Sequence, residues 1–222
     1  MRFSNNSFDC RSGDSGMQCG PIRYNAQRLE NIPAHLEVRT QKLTAPEIPA
    51  DSGIQDIFRI LIKDFSRNQR IAMDILDAYQ ENRKILVLTE RTEHLKLLRE
   101  AIGYDSKHCF VLHGRLSKKQ RASILAELVK LKDSSPLILL ATGRLIGEGF
   151  DYPPLDTLVL AMPISWKGTL RQYAGRLHRT YAGKQDVRIY DYVEENQPQL
   201  DRMWNKRQRG YRAMGYHIHF RD

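Results

Sequence analysis

The chain has 222 residues, 41% of them apolar, enough for one ordinary domain with extensions or at most a tight pair of small ones. Lys and Arg outnumber Asp and Glu by 35 to 26, and the resulting formal charge of +9 attracts polyanions over long range, favouring a nucleic-acid partner. No apolar run reaches the roughly 18 residues of a membrane-spanning helix, Met1–Cys10 lacks the character of a secretory signal, and three cysteines are too few and too odd for a disulfide framework, so the expectation is a reducing cytoplasm.

Residues 1–32 carry Ser, Asn, Gly and Asp with few apolar anchors, and residues 1–50 read as a poorly organised extension or interdomain junction. Within it, His35–Leu43 alternates partially and is a possible strand. Thr44–Gly53, with two prolines and a glycine, is a linker or turn. From Ile54 the period changes. Ile54, Ile57, Phe58, Leu61 and Ile62 recur at three and four, and Ile71, Ile75, Leu76 and Tyr79 form a second stripe. The polar break at Asp64–Asn68 either joins two helices or bends one.

Lys84–Thr89 is a short apolar strand, with Thr89 or Thr92 as cap of a helix that ends at Gly103 in a left-handed conformation. Cys109–Leu112 is a strand, His113-Gly114-Arg115 a turn, and Ser117-x-x-Gln120 a capping box opening the next helix. Leu137–Ala141, Leu158–Ala161 and Val187–Tyr192 are further strands, and Thr169-x-x-Gln172 opens a short helix between the last two. Short apolar strands alternating with amphipathic helices predict a three-layer α/β/α domain with a mainly parallel central sheet over residues 51–197. Residues 198–222 predict a basic helix from Pro198 to Ala213, with Leu200, Met203, Trp204, Arg207 and Tyr211 on one face, and a short tail.

The segment richest in chemistry is Gln172-Tyr-Ala-Gly-Arg-Leu-His-Arg179. Arg176 and Arg179, three apart on a predicted helix, face the same way and can together hold a polyphosphate; the bland alternative is a solvated basic face. The pattern resembles Gln-x-x-Gly-Arg-x-x-Arg, the sixth motif of superfamily-2 helicases. That resemblance implies that Gln172 supports the motif, that Arg176 and Arg179 approach the γ-phosphate of ATP, and that Arg179 is the arginine finger. Charge spreading onto the phosphoryl oxygens is what such a donor stabilises.

Ala141-Thr-Gly-Arg-Leu-Ile-Gly-Glu-Gly-Phe-Asp151 begins at a strand end, where open α/β sheets bind ligands. It resembles the fifth motif, implying that Thr142 contacts a phosphate of the bound strand and that Gly149 and Asp151 line the nucleotide side. The gap between its halves is longer than in the DEAD-box form. Ile85–Leu95 resembles the fourth motif, with Thr89 and Arg91 at a strand-to-helix transition suited to phosphate, and Leu112-His-Gly-Arg-Leu-Ser, containing Gly114, resembles the segment between the fourth and fifth. Phe150–Leu158 and Met162–Thr169 look closest to restriction-type DEAD/DEAH helicases of bacteria and phages, and Cys19–Arg23 resembles their domain junction. The chain is thus identified as similar to the second RecA-like domain of a superfamily-2 helicase.

One departure matters. No Gly-x-x-x-x-Gly-Lys-[Ser/Thr] and no Asp-Glu-x-His or Asp-Glu-Ala-Asp occurs in these residues. The resemblance therefore implies a partner, the first RecA-like domain, in the same chain or another, that holds most of the ATP and Mg2+; no tightly held cofactor and no structural metal are expected here. Nucleic acid, with DNA favoured, is the implied second partner, and no membrane is. The competing class is a non-hydrolysing nucleic-acid-binding or regulatory module that keeps the fold.

Overall fold

The computed structural model describes residues 35–49, 51–103, 106–143, 150–164 and 167–221. In chain order they form β1 (His35–Thr44), α1 (Ile54–Lys63), α2 (Phe65–Gln80), β2 (Lys84–Thr89), α3 (Thr92–Ile102), β3 (Cys109–Leu112), α4 (Lys118–Lys130), β4 (Leu137–Thr142), β5 (Thr157–Leu160), α5 (Lys167–Leu177), β6 (Asp186–Glu195), α6 (Pro198–Ala213) and β7 (His217–Arg221). The strands make one sheet in the order β3-β4-β2-β5-β6-β1-β7, and every pairing is parallel. Parallel neighbours require a crossover between them, so helices cover both faces and the predicted three layers result.

β2 shows how a continuous apolar run serves two cores. All six of its residues are buried. Ile85 and Val87 pack with Ile71 and Ile75 of α2 and Leu95 and Leu98 of α3. Leu86 and Leu88 point the other way, to Leu128 of α4, Leu170 and Tyr173 of α5 and Trp204 of α6. The period-2 alternation is present, and it separates two apolar faces instead of an apolar from a polar one. A third cluster, Ile57, Leu61 and Ile62 with Met162, Leu200 and Met203, fastens α1 to α6.

The polar break at Asp64 resolves into two helices, because Asp64 ends α1 and caps α2 by accepting from the Arg67 N–H at 3.1 Å. The capping box at Ser117 and Gln120 forms in both directions. Two expected caps do not form. Helix α3 has Arg91 at its N-cap with no side-chain bond, since the Thr89 hydroxyl is engaged elsewhere. Helix α5 begins at Lys167, ahead of the expected Thr169. Gly103 does end α3, at φ 79° and ψ 175°, a glycine conformation that is extended instead of left-handed helical.

The sheet takes in residues on both sides of 51–197. β1 lies between β6 and β7, with Val38 and Thr40 fully buried. α6 buries the face read from sequence, and Gly210 lies within it without breaking it. A Cβ there would come within 2.9 Å of Leu170 Cδ2, so the glycine permits α5 and α6 to pack closely. Arg207 of α6 is buried against Asp191 of β6 at 2.8 Å, and Tyr211 Oη donates to the same carboxylate at 2.7 Å. Residues 1–32, Cys10, Cys19 and the Cys19–Arg23 segment lie outside the described residues. No described helix is long and apolar enough to cross a membrane.

Candidate nucleotide and nucleic-acid site

Thr89, Arg91 and Thr142 lie at the C-terminal edge of the sheet, and Asp151 and Arg179 form a second group beside the turns that lead into the N-terminal ends of β5 and β6. The first joins the ends of β2 and β4 to α5. Thr89 and Thr142 are register partners on adjacent strands. Thr142 is 9% exposed and Thr89 only 2%. The Thr89 hydroxyl lies 2.9 Å from His94 Nδ1, His94 Nε2 lies 2.8 Å from Asn68 Oδ1, and Asn68 Nδ2 donates to the Ile62 carbonyl at 2.8 Å. Because the Asn68 amide donates to a carbonyl, its oxygen must accept, so His94 carries its proton on Nε2 and accepts the Thr89 hydroxyl's hydrogen bond at Nδ1. Burial, helped by the Arg67 charge, pushes His94 down to about 3 and keeps it neutral. Thr89 is therefore turned into the core, and it accepts from the Arg91 N–H at 3.5 Å. Arg91 reaches Gln55 Oε1 of α1 at 2.7 Å.

Next to this chain, Tyr173 of α5 donates to Glu90 at 3.5 Å, directly over Gly143. A Cβ at Gly143 would overlap the Tyr173 hydroxyl and come within 2.6 Å of Glu90 Oε1. Burial, then the Glu90 charge, raises the Tyr173 phenol above its ordinary value. Segments resembling the fourth, fifth and sixth motifs therefore meet at Glu90, Gly143 and Tyr173. Beside Glu90 opens a groove of about 690 Å³, with Arg202 and Lys206 of α6 among its lining residues.

The second group joins Asp151 to the end of α5. Arg179 Nε lies 3.4 Å from Asp151 Oδ1, and their side chains are 54% and 42% exposed. Arg176 and Arg179 do not share a helix face: α5 stops at Leu177, and Arg179 stands in the bend beyond it. Past the helix end, Lys184 Nζ takes up the Leu177 and Arg179 carbonyls at 3.0 and 2.9 Å, and His178 stacks on Tyr216 with Nε2 2.8 Å from its hydroxyl. Burial lowers Lys184 to about 8, against the pull of Asp156 and Asp151, so its ammonium remains charged at neutral pH.

Gln172 is exposed and Arg176 half-buried on α5. Gly114 is exposed in the turn after β3, the edge strand, and belongs to neither group. Gly149, with Arg144, Gly147 and Glu148, lies outside the described residues. Among the described residues no group of three or more His, Cys, Asp or Glu is placed to hold a metal ion. Sequence reasoning missed Glu90, Tyr173, His94 and Lys184. Tyr173 sits inside the quoted sixth segment, but nothing local marks its contact with Glu90, and Lys184 follows Gly183 in a turn with no pattern of its own.

Residues 68–181, just over half of the chain, match the family model for the helicase conserved C-terminal domain. The chain is 26% identical over 110 residues to the probable helicase of Escherichia phage T5, covering 50% of this chain and 24% of that protein. It is 26% identical over 159 residues to the ATP-dependent RNA helicase DBP3 of Candida glabrata, covering 69% of this chain and 28% of that one. This chain thus spans about a quarter of the length of these relatives. Its fold matches the crystal structure of T4 UvsW with a TM-score of 0.64 at 18% identity, over 84% of this chain and 41% of that chain.

Proposed function

The chain belongs to the helicase conserved C-terminal domain family, and on that premise we propose that it is the second motor half of an ATP-dependent nucleic-acid helicase or translocase. Arg179 is its arginine finger, Arg176 approaches the same phosphate, and Gln172 supports both. Asp151 and Gly149 line the nucleotide side. Thr142, Arg91 and Gly114 face the nucleic-acid backbone, and Thr89 acts from within by orienting the Arg91 amide. ATP and Mg2+ supply the phosphoryl group and its charge neutralisation, and are held mainly by the first RecA-like domain.

The observation that carries this reading is the meeting of two separate loops at one exposed edge, with Arg179 Nε 3.4 Å from Asp151 Oδ1. A half-exposed guanidinium beside a carboxylate can exchange that partner for a phosphate presented from another domain. Arginine is always charged and cannot act as a base, so binding and transition-state stabilisation are the roles open to it. The uncapped first turn of α3 and the cations beside Glu90 suit a phosphate backbone. The restriction-type affinity rests on Phe150–Leu158 and Met162–Thr169 and belongs to the same proposal, as does the preference for DNA.

The test joins this chain to a domain carrying the phosphate loop and measures nucleic-acid-stimulated ATP hydrolysis and ATP affinity separately. Arg179→Ala should lower turnover by about 10³-fold, or less if Arg176 compensates, while binding largely survives. Arg179→Lys should restore only part, because it lacks the planar fork of donors. Normal turnover in R179A removes the finger assignment.

A further inference from the structure

Building on Arg179 as the finger, we propose that Lys184 is its positioning residue: the Lys184 ammonium locks the turn carrying Arg179 onto the loop carrying Asp151. Lys184 Nζ donates to the Pro153 carbonyl at 2.6 Å, the Arg179 carbonyl at 2.9 Å and the Leu177 carbonyl at 3.0 Å. An ammonium has three protons, and each finds one acceptor. The three acceptors come from different places. Leu177 is the last residue of α5, where backbone carbonyls have lost their helical partners and a cation is favoured. Arg179 belongs to the bend beyond it, and Pro153 to the loop that follows Asp151.

The geometry explains how a residue outside any helix keeps one direction. Past Leu177 nothing in the helix itself orients Arg179. The exposed pair with Asp151 holds weakly, as such pairs do. Lys184 instead grips the backbone of Arg179 itself from a half-buried position. The intervening turn brings the lysine back: Gly183 takes φ 85°, which side-chain-bearing residues rarely adopt, and the Lys184 N–H donates to the Tyr181 carbonyl at 3.2 Å. One cation thereby fixes the separation between the two loops that the nucleotide would meet.

The clamp is tested on the 222-residue chain without ATP, by limited trypsin cleavage located by mass spectrometry. Cleavage after Arg179 requires local opening of its bend. Lys184→Met should speed that cut about tenfold or more while cuts at buried Arg188 and Lys84 stay unchanged, and Lys184→Arg should return the rate towards that of the original chain. An unchanged rate overturns the proposal. So does a rise shared by Arg188 and Lys84, which reports general unfolding, or a failure of K184R to restore. In the motor with its phosphate-loop domain, K184M should lower kcat while KM for ATP stays within about twofold; a rise in KM with kcat intact overturns the positioning role. If R179A hydrolyses ATP normally, the finger reading falls, and the trypsin result still decides whether Lys184 clamps the bend.

Discussion

Arg179 Nε and Asp151 Oδ1 stand 3.4 Å apart, on side chains that are each about half exposed. Exposed pairs of this kind contribute roughly 0–1 kcal/mol to stability, so the pair is suited to be exchanged and unsuited to hold the fold. Asp151→Ala and Arg179→Ala, singly and together, should show a coupling in urea denaturation of about 1 kcal/mol at most. In the complete motor, Asp151→Ala should weaken nucleotide affinity, whereas Arg179→Ala should act on turnover. A coupling of several kcal/mol would instead make the pair a structural bridge.

Gly143 separates the Thr142 strand end from Tyr173, and any side chain there collides with the Tyr173 hydroxyl and Glu90. Gly143→Ala should destabilise the chain by about 1–3 kcal/mol, the usual range for overpacking. Tyr173→Phe removes the nearest atom, so the double variant should recover part of that loss. Denaturation midpoints of the four proteins decide it, and a harmless Gly143→Ala would mean that α5 does not pack over this strand end as described.

His94 has a pH signature. Its folded value of about 3 lies below the ordinary 6.5, so below pH 6.5 the unfolded chain binds a proton that the folded chain refuses. The stability it contributes is complete above pH 6.5 and declines as pH falls towards 3. The slope from this one group is at most about 1.4 kcal/mol per pH unit. Between pH 6.5 and 5, where carboxylates titrate little, His94→Gln should flatten the stability profile. A profile unchanged by the substitution would show that His94 takes up a proton in the folded state.

The chain should bind short single strands weakly, with affinity falling as salt rises because bound phosphates release counterions. Backbone contacts carry little sequence information, so base composition should matter little. Arg91→Ala should reduce the salt slope by about one. Titrations against DNA and RNA strands at several salt concentrations also separate the two nucleic acids. Binding that ignores salt would count against a phosphate-tracking surface.

By itself the sequence determined the layered architecture and most element positions. Buried parallel strands read as near-continuous apolar runs, as at Ile85–Leu88 and Leu137–Ala141, and helix stripes such as Ile71, Ile75, Leu76 and Tyr79 repeat with the helical period. The motif-like segments marked the turns that carry Thr142, Asp151 and Arg179; Thr142 stands at the C-terminal edge of the sheet, and Asp151 and Arg179 stand beside the turns leading into β5 and β6. Tertiary structure alone decided what those turns touch. The helix expected to hold both arginines stops at Leu177, and Lys184 from a returning turn takes the Leu177 carbonyl and the Arg179 carbonyl beyond it. Thr89, expected at a transition suited to phosphate, faces inward, where His94 meets its hydroxyl and Asn68, from a different helix, holds His94. β1 and β7 joined the sheet through pairing partners distant in sequence. Local periodicity reports which face of an element is apolar; it carries no information about which remote donor will meet a given carbonyl or hydroxyl, and at this site those remote donors set the geometry.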